Sequence, residues 1–116
     1  MVTINYKTLG FFQKGHEFTK EIYKVTKDFP SDEKYGLTSQ LKRAAASIGS
    51  NIAEGSVKST ADYKRFLTIS LGSAKECEYQ LLLAKNLDFI SARTYDRLID
   101  LLDVIIGSLT NYMKKI

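Results

Sequence analysis

The stretch Leu37-Thr38-Ser39-Gln40-Leu41-Lys42-Arg43-Ala44-Ala45-Ala46-Ser47-Ile48-Gly49-Ser50-Asn51-Ile52-Ala53-Glu54-Gly55 decides the fold. Leu37, Leu41, Ala44, Ala45, Ile48 and Ile52 recur at steps of three and four. On a helix they form one apolar stripe. The same period continues on both sides. Upstream, Phe11, Gly15, Phe18, Ile22, Val25 and Phe29 make a second seam, which ends where Pro30 blocks continuation. Downstream, two further apolar patterns predict helices over about residues 60–86 and 92–115, beside those over about 9–27 and 37–54.

Punctuation separates the four. Ser31-Asp32-Glu33-Lys34-Tyr35-Gly36 reads as a connector with at most one short turn. Gly55 is placed to close the second helix in a left-handed cap. Ser59 and Asp62 suit a capping box, and Ser91 suits the cap of the fourth helix. Asp96, Asp100 and Asp103 precede Lys114 and Lys115 along that helix, the order its dipole favours. Helices of this length on short links pack against their sequence neighbours. The expectation is an all-α fold, an antiparallel up-and-down four-helix bundle filling residues 1–116 as one domain.

Composition agrees. The chain has 116 residues, 44% apolar and 26% charged, with one proline and no tryptophan, a balance suited to one globular domain. The single cysteine, Cys77, excludes an internal disulfide and is expected to be a buried thiol. A free thiol suits a reducing compartment. Met1–Lys7 holds no apolar run of signal-peptide length, and no stretch approaches a membrane span. The expected location is the cytoplasm.

Two helices carry more apolar surface than a monomer uses. In the fourth, Leu98, Ile99, Leu101, Leu102, Ile105, Ile106 and Leu109 spread over roughly 160° of the wheel, and Val104 widens the face. In the third, Leu81, Leu82 and Leu83 cannot all face one neighbour, and Ile69 and Leu71 lie outside the main seam. Such surface marks partner sites, and symmetric self-association is the usual solution. A homo-oligomer is expected.

The second helix also has a polar stripe. Gln40, Arg43, Ser47, Asn51 and Glu54 fall within roughly 80° of the wheel. They suit a hydrogen-bonded structural network, in which Glu54 or Glu76 would pair with Arg43. Gly49 and Gly72, inside helices, are expected where helices approach closely.

Two runs carry a family resemblance. One is Gly-Leu-Thr-Ser-Gln-Leu-Lys-Arg-Ala-Ala-Ala-Ser-Ile-Gly-Ser-Asn-Ile-Ala-Glu-Gly from Gly36. The other is Phe-Leu-Thr-Ile-Ser-Leu-Gly-Ser-Ala-Lys-Glu-Cys-Glu-Tyr-Gln-Leu from Phe66. With the Phe29-Pro30 break, the chain resembles bacterial four-helix bundle proteins encoded within intervening sequences of 23S ribosomal RNA genes. It is similar to the accessory protein of diversity-generating retroelements. The resemblance implies a ring-like homopentamer with a central channel and contact with RNA or DNA. For the retroelement members it implies partnership with a nucleic-acid-processing protein, the reverse transcriptase. It implies no enzymatic activity. Many members carry proline where this chain has Gly49, and the retroelement proteins are more strongly basic than this +4 chain.

Charge gives the nucleic-acid reading its candidates. Residues 42–75 hold Lys42, Arg43, Lys58, Lys64, Arg65 and Lys75 against Glu54 and Asp62, a surplus of four cations. Residues 76–113 are net acidic. Lys42, Lys58, Lys64, Arg65 and Lys75 would contact phosphates. They form no single stripe: Lys64 and Lys75 share a side of the third helix, and the others point elsewhere. Tyr63 and Phe66 flank Lys64-Arg65, where helical spacing favours core packing over base stacking. The alternative is a scaffold that docks another protein without touching nucleic acid. An enzyme is disfavoured. His16 is the lone histidine, against the paired Glu-x-x-His of di-iron bundles. No phosphate-cradling glycine loop is present, and Glu76 and Glu78 point different ways. Nothing in the sequence supports a catalytic pairing of Cys77 with His16. No cofactor or metal is expected.

Overall fold

Phe11, Gly15, Phe18 and Ile22 are buried together and fix the inner face of helix α1 (Gly10–Val25). This computed structural model describes residues 4–116; the reading of the N-terminus rests partly on Met1–Thr3, outside that range. Helix α1 tightens into a 3-10 turn, Thr26–Asp28, before Pro30. Here the expected seam changes: Val25 is only half-buried, and Thr26 takes the core position at 4% exposure. Its hydroxyl donates to the Ile22 carbonyl at 2.7 Å. The polar side chain is thereby satisfied inside the core.

Helix α2 (Leu37–Gly55) starts on a device the sequence did not advertise. The Glu33 carboxylate accepts from the Leu37 N–H at 3.0 Å, satisfying one of the free donors of the first turn. A Cβ on Gly36 would lie 2.8 Å from that oxygen and would push the Glu33 carboxylate off its bond to Leu37. The six stripe residues of α2 are all buried, and the helix runs through Gly49 without interruption.

The other end of α2 corrects an expectation. Gly55 is not a left-handed cap: it is the last helical residue, and no glycine among the described residues has positive φ. Ser56 ends the helix instead, its N–H reaching the Ile52 and Ala53 carbonyls. Gly55 is small for another reason, because helix α3 (Thr60–Asn86) passes against it. A Cβ there would meet Phe66 Cβ at 2.8 Å and the Tyr63 ring at 3.1 Å.

Ser59 caps α3, accepting from the Asp62 N–H at 3.3 Å. The Asp62 carboxylate goes forward to Arg65, so only the serine half of the capping box forms. The α3 end is where the left-handed residue lies: Asp88 has φ 61°. The Phe89 N–H bonds Ala84 O at 2.8 Å and the Asp88 N–H bonds Lys85 O at 3.0 Å, the paired bonds of a Schellman stop. Phe89 packs on Phe29, ring centroids 5.5 Å apart. Helix α4 (Ala92–Lys114) is capped by Ser91, which accepts from the Thr94 N–H at 3.0 Å.

The described residues form four α-helices and no strand. Helices α1 and α3 each pack against both α2 and α4, a helical bundle with extents of 46 × 25 × 19 Å. Side chains tie the seams. Thr19 donates to Ala45 O at 2.9 Å between α1 and α2. Ser70 donates to Ile48 O at 2.8 Å between α2 and α3. The Tyr63 hydroxyl donates to that of Tyr112 at 3.0 Å between α3 and α4. Arg97 of α4 bonds and pairs with Glu21 of α1. Gly49 lies at a close approach, as expected, 3.3 Å from the Phe12 ring for an added Cβ. Gly72 does not: among the described residues nothing lies within 4 Å of its Cβ position. Among the described residues, no helix is long and apolar enough to cross a membrane.

Candidate nucleic-acid interface

The loop Ser56–Ser59 turns the chain from α2 into α3 and sets Lys58 beside the first turns of α3. Lys58 Nζ lies 5.8 Å from the Phe66 ring centroid. One turn on, the Arg65 guanidinium carbon lies 4.7 Å from the same centroid. Two cations thus converge on one half-buried ring whose Cβ is wedged against Gly55. The ring's negative face stabilises both, by about 0.5–1 kcal/mol each at a surface. Arg65 also reaches Asp62, Nε to Oδ1 at 3.6 Å.

The other three candidates stand apart. Lys64 is exposed and without an ion pair among the described residues. Lys75 pairs with Glu78 at 3.4 Å, both on the surface. Lys42 lies near the start of α2, at the other end of that helix from Gly55 and Phe66, its Nζ 4.7 Å from the Tyr23 ring centroid. The structure therefore unites Lys58 and Arg65 and leaves Lys42, Lys64 and Lys75 dispersed. Tyr63 is core, 4% exposed. Burial and the hydrogen bond with Tyr112 push its hydroxyl above the ordinary tyrosine range.

The polar stripe divides. Asn51 Nδ2 donates to Ser47 O at 2.8 Å and to Ser47 Oγ at 2.9 Å. Ser73 Oγ donates to Ser47 Oγ at 2.8 Å, carrying the network to α3. Gln40, Arg43 and Glu54 are exposed. Arg43 bonds Ser39 at 3.3 Å and forms no ion pair with Glu54 or Glu76 within the chain. Glu76 accepts instead from Gln80 Nε2 at 3.1 Å. Gln80 is 5% exposed, and its Oε1 has no hydrogen-bond partner among the described residues.

Cys77 and His16 occupy different environments. Cys77 is fully buried, and loss of solvent, with the Glu76 charge nearby, raises its thiol to about 12. His16 is exposed and stacks on Phe12, centroids 6.1 Å apart.

Sequence reasoning missed one cluster. Tyr23, Lys34, Tyr35, Thr38, Lys42 and Arg43 line a surface groove of about 360 Å³ between the end of α1 and the start of α2. Tyr35 is 88% exposed and Tyr23 46%. Lys34 Nζ stands 5.4 Å from the Tyr35 centroid. The adjacent Lys34-Tyr35 was the available signal, but its neighbours come from two other segments, α1 and α2.

Fold and site together define a helical bundle protein with basic, aromatic surface clusters. Its sequence matches the family model of the 23S rRNA-intervening sequence protein over residues 7–111, and the chain belongs to that family. It is similar to a solved structure from Bacteroides thetaiotaomicron VPI-5482, a protein of unknown function from the S23 ribosomal protein family. The two share 28% identity with a TM-score of 0.83, over 90% of this chain and 98% of the other. No curated protein matches the chain.

Proposed function

We propose that this protein is a non-enzymatic, homo-oligomeric nucleic-acid-binding accessory protein, built from an antiparallel up-and-down bundle and assembled as a pentameric ring. The observation that carries the binding reading is the convergence of Lys58 and Arg65 on Phe66, with Lys64 exposed beside them. Clustered cations attract phosphates, and copies in a ring multiply a weak charge. The Gly55–Phe66 and Ser47–Ser73 contacts, met in opposite order along α2 and α3, support the antiparallel packing. Ile69, Tyr79, Leu82 and Val104, between 40% and 63% exposed, support self-association. The ring and its subunit number come from the family resemblance. The reading places the protein in the cytoplasm, with no cofactor and with a nucleic-acid-processing protein as a further partner.

The test is an anisotropy titration against a structured RNA and a DNA duplex at low and near-physiological salt. Micromolar binding that weakens steeply with salt, and is lost when Lys58, Lys64 and Arg65 become glutamate, is expected. No binding even at low salt would leave the second reading, a scaffold that docks another protein through the same exposed apolar residues.

A further inference from the structure

Among the surface grooves, the one between α1 and α2 combines three features. Three cations, Lys34, Lys42 and Arg43, line it, and no carboxylate does. The nearest acid in sequence, Glu33, is engaged by the Leu37 N–H at the start of α2. Two tyrosine rings stand open to solvent, although burying a tyrosine ring is normally favourable. Each ring has an ammonium close by, 4.7 Å from Tyr23 and 5.4 Å from Tyr35. Thr38, Ser39 and Ala46 complete the lining.

Each feature selects the ligand. The absence of carboxylates makes the groove attractive to an anion and repels none. Exposed rings with nearby ammonium groups suit a chain in which flat apolar faces alternate with phosphates. Single-stranded nucleic acid is such a chain: bases stack on aromatic rings while lysines meet the backbone. A duplex keeps its bases stacked inside and offers the rings nothing. We infer that the Tyr23–Tyr35 groove is a stacking site for the bases of single-stranded nucleic acid, with Lys34, Lys42 and Arg43 on its phosphates. This rests on the nucleic-acid reading above but uses other residues. Lys42 is the only candidate the two share, and the groove lies at the opposite end of α2 from Phe66.

The test compares wild-type protein with a Tyr23→Ala/Tyr35→Ala variant, which keeps every cation and alters only exposed rings. Binding is measured to a labelled oligouridylate and to heparin, a polyanion without bases. Light scattering gives the mass of both proteins. The expected result is an affinity loss for oligouridylate on the order of ten-fold for each tyrosine removed, with heparin affinity and mass unchanged. Unchanged oligouridylate binding overturns the inference and leaves the nucleic-acid reading standing. So does a parallel loss for both polymers, or a changed mass, which would assign the tyrosines to folding or assembly. If wild-type protein binds neither polymer, the nucleic-acid reading fails and the groove assignment with it.

Discussion

The Cβ that an alanine would carry at position 55 falls 2.8 Å from Phe66 Cβ, so the α2 backbone at Gly55 packs directly against the Phe66 side chain of α3. Real Cβ atoms do not approach so closely, and neither atom sits at the end of a flexible side chain. Gly55→Ala must therefore push the helices apart. Alanine is the better helix former by up to about 1 kcal/mol, but overpacking a tight contact costs typically about 1–3 kcal/mol. Net destabilisation is expected, with Tm lowered by several degrees. The same shift would move Phe66 and the cations above it. Thermal unfolding followed by circular dichroism measures the first effect; an unchanged or raised Tm would show that the contact is loose.

Tyr63 shares that contact and adds a pH dependence. Its folded hydroxyl is held above the ordinary tyrosine range by burial and by Tyr112. A group with a raised folded pKa contributes stability that is present below its unfolded value, near 10, and lost as pH rises beyond it. Unfolding in alkali should thus be eased in wild-type protein and less so in Tyr63→Phe. At neutral pH that variant should lose about 0.5–1.5 kcal/mol for one hydrogen bond. Denaturant titrations at neutral and alkaline pH check both; parallel curves for the two proteins would remove Tyr63 from the alkaline transition.

Much of the bundle was legible because its signals are local. The α2 stripe, the α1 seam and the serine caps at Ser59 and Ser91 each lie within a turn or two of the residues they specify. What escaped depends on other segments. Gly55 has the sequence context of a cap, yet the Phe66 contact comes from α3. The left-handed stop after α3 falls on Asp88, where no glycine marks it. The polar stripe read as one network divides because only Ser47 meets Ser73, with Asn51 bonded to Ser47, while Gln40, Arg43 and Glu54 reach solvent. The Tyr23–Tyr35 groove joins α1, the connector and α2, so no single window contained it.

Glu21 and Arg97 give the one ion pair described between α1 and α4. The hydrogen bond from Arg97 is the main cause of the lowered Glu21 pKa. A depressed carboxylate contributes stability above its unfolded pKa, near 4.5, which disappears as pH falls through the folded value. The Arg97 side chain is 52% exposed, so solvent screens the pair to a few tenths of a kcal/mol. Arg97→Gln should cost that much at pH 7, and the difference should vanish in acid. Chemical denaturation at pH 7 and pH 3 measures it; a difference that grows in acid would contradict the assignment.

Cys77 should be inert in the folded protein. With its thiol raised to about 12, the thiolate fraction at pH 8 is on the order of one in ten thousand, and the thiolate is the nucleophile. The side chain is also closed to solvent. Labelling by a thiol reagent should wait on unfolding, so its rate should rise with denaturant as the bundle opens. Rapid stoichiometric labelling in native buffer would instead reveal a local opening of α3 at this position.

Gly72 offers the sharpest test of self-association. It lies on an α3 line with Ile69, Glu76, Tyr79 and Leu83 at steps of three and four, the spacing of a helix seam. Ile69 is 42% exposed and Tyr79 63%. Among the described residues nothing lies within 4 Å of a Cβ at position 72. An isolated bundle would therefore accept a side chain there and gain helix stability of up to about 1 kcal/mol. A second copy packed along this line would not, because the glycine is what lets another helix come close. Gly72→Leu should leave the helical signal intact and lower the mass seen by light scattering, with the largest loss at low concentration. If the wild type is already monomeric at micromolar concentration, the assembly proposal fails outright. If the variant keeps the wild-type mass and only gains stability, the copies associate through another face, and Val104 on α4, 47% exposed, is the next position to substitute.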